Sequence, residues 1–254
     1  MVPTGLRHSL RAIAAAALCF LAAACASRPA DAPCAPVAGL DPGCVIQNRA
    51  LLEEAVASYR KHYAKMDVGP SIAVTYNQAQ IPFTTHWLRT DQFIVIDFSR
   101  PAYEKRLFLV NWKTGAAEAF HVSHGRGSAA SERSYAAKRF TNVIGSGTSS
   151  VGAFVGGQEY LSPRWGRALR VRGLDPTNSR ALERTIVFHA NEAFFDKHRN
   201  VFGWSCGCFM TDEEDLPRVF SALQDGGFVY AGPASLYEDR KSTRLNSSHV
   251  ALSR

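Results

Sequence analysis

A mainly β domain of the α+β class, with a helix at its front and a short helix near its end, is what this 254-residue sequence predicts. Three observations carry that prediction. Short runs of β-branched and aromatic residues recur along the middle of the chain, bounded by Gly, Pro and Ser. Apolar residues at three- and four-residue spacing mark only two stretches. The segments between are heavy in Gly and Ser, and no internal repeat divides them.

The first helical stretch runs from Gln47 to Met66. Leu51, Leu52, Ala55, Val56, Tyr59 and Tyr63 share one face, with Glu53, Glu54, Arg60 and Lys61 between them. Gly69-Pro70 stops it. Residues 71–91 fit neither the helical nor the strand period. Phe93–Phe98 and Arg106–Trp112 then read as strands, Lys113-Thr114-Gly115 as a turn, and Ala117–Val122 as a third strand. Residues 123–150 read as loops. Ala168–Arg172 alternates apolar and polar, and Thr185–His189 is a buried strand. Glu213–Leu223 carries the second helical pattern, through Leu216, Val219, Phe220 and Leu223. Gly227–Tyr230 is the last strand.

Both ends stand apart from this domain. Residues 1–24 have the build of a secretory leader: Arg7 and Arg11, a short apolar core from Ala12 to Leu21, then Ala22-Ala23-Ala24. The core is too short and alanine-rich for a membrane span. Cys25 follows Leu21-Ala22-Ala23-Ala24 as in a lipobox, with the Leu one position further out than usual. Lipidation at Cys25 and simple cleavage of the leader both fit. The expected location is the periplasm, with Cys25 as a candidate outer-membrane lipid anchor. Residues 25–45, rich in Ala, Pro and Asp, read as a tether. Cys34 and Cys44 within it fit either a local disulfide or two free thiols. At the other end, Asp239–His249 matches the in-frame translation of a short-read sequencing adapter, so residues 239–254 are set aside as an artefact. The domain proper is then 46–238, a length that suits one core.

The net charge of +7 belongs mostly to these ends. Arg7 and Arg11 fall in the leader, and Arg240, Lys241, Arg244 and Arg254 in the tail against one acid, Asp239. The basic balance therefore gives no reason to expect a nucleic-acid partner.

The chemistry concentrates at His189 and at the turn Ser205-Cys206-Gly207-Cys208. A buried strand ending in His, followed by a Gly-Cys turn, can bring an imidazole to a thiol. That pair supports acyl transfer, because the thiolate attacks a carbonyl and the imidazole shuttles the proton. A zinc site built from His189, His198, Cys206 and Cys208 lacks the usual Cys-x-x-Cys spacing. A Cys206–Cys208 disulfide would be strained at that separation. The glycines of 145–157 follow no phosphate-loop pattern.

Four blocks in order resemble the murein L,D-transpeptidase catalytic domain, in the branch called YkuD-like. They are Ile96-Asp97-Phe98-Ser99 with Glu104-Lys105-Arg106-Leu107; Ser123-His124-Gly125-Arg126-Gly127-Ser128; Phe140–Val143 through Gly145-Ser146 and Ser149–Gly152; and Ile186–His189 with Ser205–Cys208. The resemblance covers residues 47–232 and implies a β-sandwich, with the short helix after the catalytic turn. It implies Cys208 as nucleophile and His189 as base then acid. The two would rest as a thiolate–imidazolium pair, with the imidazole oriented by a carbonyl near the Ser205 turn. Backbone N–H groups around Gly207 and Cys208 would form the oxyanion hole.

Ser205 would support the turn or touch substrate. His124, Arg126 and Asn142, together with Ser146, would line the groove, Arg126 holding a stem-peptide carboxylate. The implied partner is a peptidoglycan stem peptide, and the reaction requires no cofactor. Two positions depart from the family pattern: Phe209 stands where Pro is usual, and Met210 where another branch has Arg. Both are expected in the substrate-facing turn. A non-catalytic peptidoglycan-binding module and a Cys206/Cys208 redox protein are the competing readings.

Overall fold

The structure, a computed structural model, describes residues 46–63, 72–76, 79–85, 87–132 and 134–237. Cys25, Cys34, Cys44, the leader, the tether and the tail from 238 onward lie outside the described residues.

Helix α1 spans Arg49–Tyr63. The Asn48 side-chain oxygen accepts the Leu51 N–H at 3.2 Å and caps its start. Arg60, Lys61 and His62 in its last turn suit the negative end of the helix dipole. Its buried stripe is Leu51, Leu52, Ala55, Val56, Tyr59 and His62. A two-stranded ribbon follows, β1 (Ile72–Tyr76) with β2 (Ala79–Phe83). It occupies the stretch that fits neither sequence period.

The main sheet has eight strands: β3 (Gln92–Asp97), β4 (Leu107–Asn111), β5 (Ala117–Phe120), β6 (Gly152–Ser162), β7 (Gly166–Gly173), β8 (Val187–His189), β11 (Phe209–Met210) and β12 (Phe228–Gly232). A separate ribbon pairs β9 (Phe195–Asp196) with β10 (Val201–Phe202). The order across the main sheet is β11-β8-β7-β6-β12-β3-β4-β5. The β11–β8 and β12–β3 pairs are parallel and the others antiparallel.

Both faces of the sheet centre are covered, so its strands read as unbroken apolar runs rather than alternations. In β3, Phe93 and Val95 point to the α1 side, among Phe108, Trp112, Val155 and Phe228. Ile94 and Ile96 point the other way, among Phe154, Phe188, Phe209 and helix α2 (Leu216–Leu223). The expected helical start at Glu213 is corrected: Glu213–Asp215 winds as a tighter 3-10 turn, and α2 begins at Leu216 with Pro217 in its first turn.

The sheet rolls until its ends meet. After β5, the Ser123 N–H donates to the Met210 carbonyl at 2.8 Å, and the Met210 N–H donates to Ser123 Oγ at 2.9 Å. The Phe98 ring, just past β3, lies 6.3 Å from that of Phe209. The sandwich is thus one sheet folded over its own core.

Strand β6, with 11 residues the longest, is absent from the sequence reading. Gly152, Gly156 and Gly157 dilute its apolar signal. A Cβ at Gly156 would stand 1.8 Å from the Leu223 carbonyl, so α2 can end against this strand only because a glycine is there. The pairing with β7 shifts register between Gly156 and Glu159, a bulge that hides the period-two pattern as well.

Helix α1 is tied to the turn after β7. Asp175 Oδ1 accepts from His62 Nε2 at 3.1 Å and Lys61 Nζ at 3.0 Å, while Oδ2 accepts the Ala153 N–H at 2.8 Å. Burial alone would raise this carboxyl's pKa; the hydrogen bonds outweigh burial and hold it well below the usual range.

Candidate active site

Strands β8 and β11 bring the backbone of His189 beside the end of the Ser205–Cys208 turn. Phe188 pairs with Phe209, and His189 with Met210, in parallel register. Phe188 and Phe209 enter the core, their rings 4.7 Å apart. Side chains alternate along a strand, so His189 takes the opposite side. Cys208 immediately precedes β11, so the backbone of the thiol's residue sits one position from the strand paired with that of His189.

The thiol is partly enclosed. Cys208 Sγ donates to the Thr185 carbonyl at 3.6 Å. Thr185 has φ +52°, an unusual value for a β-branched residue. Burial pushes the Cys208 thiol up to about 11; the Cys206 sulfur adds to this, while the Val187 backbone and the Arg184 and Arg164 guanidinium groups oppose it. His189 is fully buried, and its Nδ1–H donates to the Ala190 carbonyl at 2.9 Å. Nε2 is then the nitrogen that can accept a proton. Burial pulls this imidazole below its ordinary pKa, with Arg164 adding and the Ala190 bond opposing.

Desolvation disfavours the charged form of each group taken by itself, which works against the expected standing thiolate–imidazolium pair. The orienting carbonyl is corrected too: it belongs to Ala190, the residue after the histidine.

Gly207 shapes the turn. Its φ of +122° suits only glycine, and a Cβ there would stand 2.6 Å from the Thr148 carbonyl. Its N–H donates to Ser205 Oγ at 3.0 Å, and Ser205 Oγ donates to the Cys208 carbonyl at 2.6 Å. The expected pair of oxyanion donors is corrected accordingly. The Gly207 N–H closes the turn, and the Cys208 N–H has no hydrogen-bond partner among the described residues. Of the two roles open to Ser205, the structure places it in the turn.

The loop of residues 123–128 lies beside this turn. The Ser205 N–H donates to the His124 carbonyl at 3.0 Å, and the Arg126 N–H donates to the Ser205 carbonyl at 2.8 Å. Arg126 is exposed, and its guanidinium has no partner among the described residues. It is the one predicted groove cation that is free to meet a ligand.

His124 is not in the groove. It is fully buried, and Nδ1 accepts from Arg106 Nη2 at 2.9 Å. Burial and the Arg106 charge push its pKa down to about 3, so it stays neutral. Asn142 is likewise committed: its amide donates to the Pro176 carbonyl and Ser179 Oγ, and its oxygen accepts the Arg180 N–H. Ser146 Oγ donates to the Val143 carbonyl at 2.7 Å inside its own turn. These three residues hold loops rather than line a groove.

The two departures from the family pattern also change meaning. Phe209 is fully buried and packs on Phe188 and Phe154; Met210 packs with Ala102, Phe195 and Phe202. Both side chains are buried rather than presented to solvent, which corrects the expectation that they face substrate: Phe209 lies in the main core, while Met210, the register partner of His189, lies in a smaller cluster.

Three residues escaped the sequence reading. Trp165, at the tip of the β6–β7 hairpin, stacks on His189 at 4.6 Å with planes 20° apart. Arg164 lies over that indole at 4.5 Å. Arg184 donates to the Thr141 carbonyl at 2.8 Å, to Ser150 Oγ at 2.5 Å and to the Thr148 carbonyl, and so gathers the 140–150 loop under the thiol. Only the position of Arg184, five residues before the strand-end histidine, offered a signal. Among the described residues no three His, Cys, Asp or Glu side chains gather as a metal site, and Cys206 and Cys208 are free thiols.

Residues 72–231 match the L,D-transpeptidase catalytic domain family. Among solved structures, an L,D-transpeptidase from Mycobacterium smegmatis is similar at 10% identity and TM-score 0.36, over 64% of this chain and 67% of that one. Another from Mycobacterium tuberculosis is similar at 13% identity and TM-score 0.37, over 64% of this chain and 66% of that one. No curated protein matches by sequence. The family assignment rests on the sequence match, which runs from the start of β1 into β12: this chain belongs to the L,D-transpeptidase catalytic domain family.

Proposed function

We propose that the protein is a cysteine-dependent acyltransferase that acts on peptidoglycan stem peptides through a thioester on Cys208. The observation that carries this reading is the β8–β11 pairing, which sets His189 next to the strand that Cys208 immediately precedes. As the donor carbonyl arrives, the Cys208 proton passes to His189 Nε2 and the sulfur attacks the carbonyl carbon. The Cys208 N–H meets the developing oxyanion. The C–N bond to the terminal D-Ala breaks, and its amine leaves with the proton from His189. An amine of a second stem then attacks the thioester, gives its proton to His189, and releases the thiol. Water in that role makes the enzyme an L,D-carboxypeptidase.

In this reading both reactive groups start neutral, so the proton moves during the attack. At pH 7 about one thiol in ten thousand is ionised when its pKa is about 11. Arg126 is assigned the stem carboxylate, since its exposed fork can bind one bidentately. The reading also assigns the protein to the periplasm, with Cys25 as its lipid anchor to the outer membrane.

The non-catalytic binding reading drew on Phe209 and Met210; both side chains are buried, which favours a packing role for them over contact with substrate. The test is the intact mass of residues 26–238 after incubation with imipenem, whose strained amide a reactive thiol opens. A stable adduct on the unmodified protein, absent from Cys208→Ala, is expected. A folded protein that takes no adduct sinks the proposal.

A further inference from the structure

Three aromatic rings stand in a row on the surface next to the catalytic turn. Tyr103, 52% exposed, meets Tyr135, 40% exposed, edge to face at 5.8 Å. Tyr135 continues to Trp204 at 6.3 Å, with planes 17° apart. The rings come from separate segments: the turn after β3, the loop of residues 129–137, and the residue before Ser205. They are pinned from behind. Trp204 Nε1–H donates to the Ser134 carbonyl at 3.0 Å, and the Ala102 N–H donates to the Tyr135 carbonyl at 2.9 Å.

Scattered exposed aromatics are ordinary, but a contiguous row marks a binding surface. The chemistry of this row narrows the ligand. It presents aromatic rings, and neither tyrosine hydroxyl has a hydrogen-bond partner among the described residues. Ser131 and Glu132 are exposed in the same loop as Tyr135. Flat apolar faces with a polar margin complement a pyranose, which has an apolar C–H face and a rim of hydroxyls.

We propose that Tyr103, Tyr135 and Trp204 form a carbohydrate platform for the β-linked amino-sugar chain that carries the stem peptide. This rests on the acyl-transfer reading in one respect: the sugar chain is covalently part of the acyl donor. Trp204 joins Ser205 directly, and exposed Arg126 bonds to Ser205 through its backbone, so the platform continues from the turn that presents the thiol.

Two measurements on the full domain test this. The first compares kcat/KM for a free stem tetrapeptide and for the same tetrapeptide on its disaccharide. The unmodified protein should favour the disaccharide form at least tenfold, and Tyr135→Ala should bring the ratio close to one. Equal values for the unmodified protein overturn the platform. The second measures binding of a β-1,4-linked N-acetylglucosamine tetramer by calorimetry. Tyr135→Ala and Tyr103→Ala should each weaken it about tenfold. Tyr103→Ala, at the far end of the row, guards against a disturbed catalytic turn, and circular dichroism checks the fold of both.

Saccharide binding without any turnover would sink the acyl-transfer reading and keep the platform. Turnover without saccharide binding would do the reverse. Concentration-dependent dimerisation that Tyr135→Ala abolishes, with no saccharide binding, would assign the row to a second copy of the chain and also overturn the platform.

Discussion

The thiol and the imidazole of this site are held in opposite ways. The thiol side is a net of short-range polar bonds: Ser205 Oγ closes its own turn, Ser149 Oγ donates to the Gly207 carbonyl at 3.2 Å and accepts the Gly125 N–H at 2.9 Å, and Arg184 gathers the loop below. The imidazole side has one hydrogen bond, to Ala190, and one ring stack, on Trp165. The first arrangement fixes the backbone around the nucleophile. The second fixes a ring plane and leaves one nitrogen available. A nucleophile must meet a carbonyl at a set angle, while a proton shuttle needs only a tautomer and a direction.

If the thiol side depends on backbone shape, Gly207→Ala should produce the largest effect. The new Cβ would crowd the Thr148 carbonyl at a positive φ. We expect a loss of about 2–4 kcal/mol in stability, from overpacking and backbone strain together, and a fall in turnover of at least a hundredfold. A urea melt and a stem-peptide assay would read both. Full activity in this variant would mean that the turn is more forgiving than its geometry implies.

The imidazole side predicts a different pattern. Trp165→Ala should lower turnover roughly ten- to a hundredfold, no more than the roughly hundredfold or greater contribution of a general base itself, and leave the melting midpoint nearly unchanged. Trp165→Phe, which keeps a ring over His189, should restore most of the loss. An unchanged rate and pH profile in Trp165→Ala would show that the stack does no positioning.

The raised pKa of the enclosed thiol gives a third contrast. With the thiol at about 11, alkylation of Cys208 by iodoacetamide in a Cys206→Ser background should climb about tenfold per pH unit between 7 and 9.5, because the thiolate is the reactive form. A plateau near pH 7 would restore the standing ion pair. The sign for stability follows. A thiol whose folded pKa lies above its unfolded one favours the folded state below the unfolded value, near 9, and loses that contribution as pH rises through 11.

The smallest effect belongs to the exposed neighbour. Cys206→Ser should retain turnover within about twofold, since surface substitutions away from structural features are mostly near neutral. Because the Cys206 sulfur helps raise the Cys208 pKa, the alkylation curve should shift slightly to lower pH. A dead Cys206→Ser protein would show that the nucleophile is the other sulfur.

The sequence by itself determined the parts whose signals are local. Residues 93–96, 107–110 and 186–188 are apolar runs with no polar interruption, and they make up most of β3, β4 and β8. The stripe from Leu51 to Tyr59 is α1's buried face. The order His189, then Ser205-Cys206-Gly207-Cys208, was enough to nominate the reactive pair and the family.

Tertiary structure alone decided what surrounds that pair. Trp165 reaches His189 only because the β6–β7 hairpin folds back on β8, and β6 itself was hidden by its glycines and its bulge. His124 and Asn142 are polar residues in glycine-rich loops, which read as groove lining. The rolled sheet buries one against Arg106, and the packing of two loops commits the other to Pro176, Ser179 and Arg180. The physical reason is common to all three. A strand's period or a turn's glycine is written in adjacent residues, whereas burial and hydrogen-bond partners depend on segments that meet only when the sheet closes.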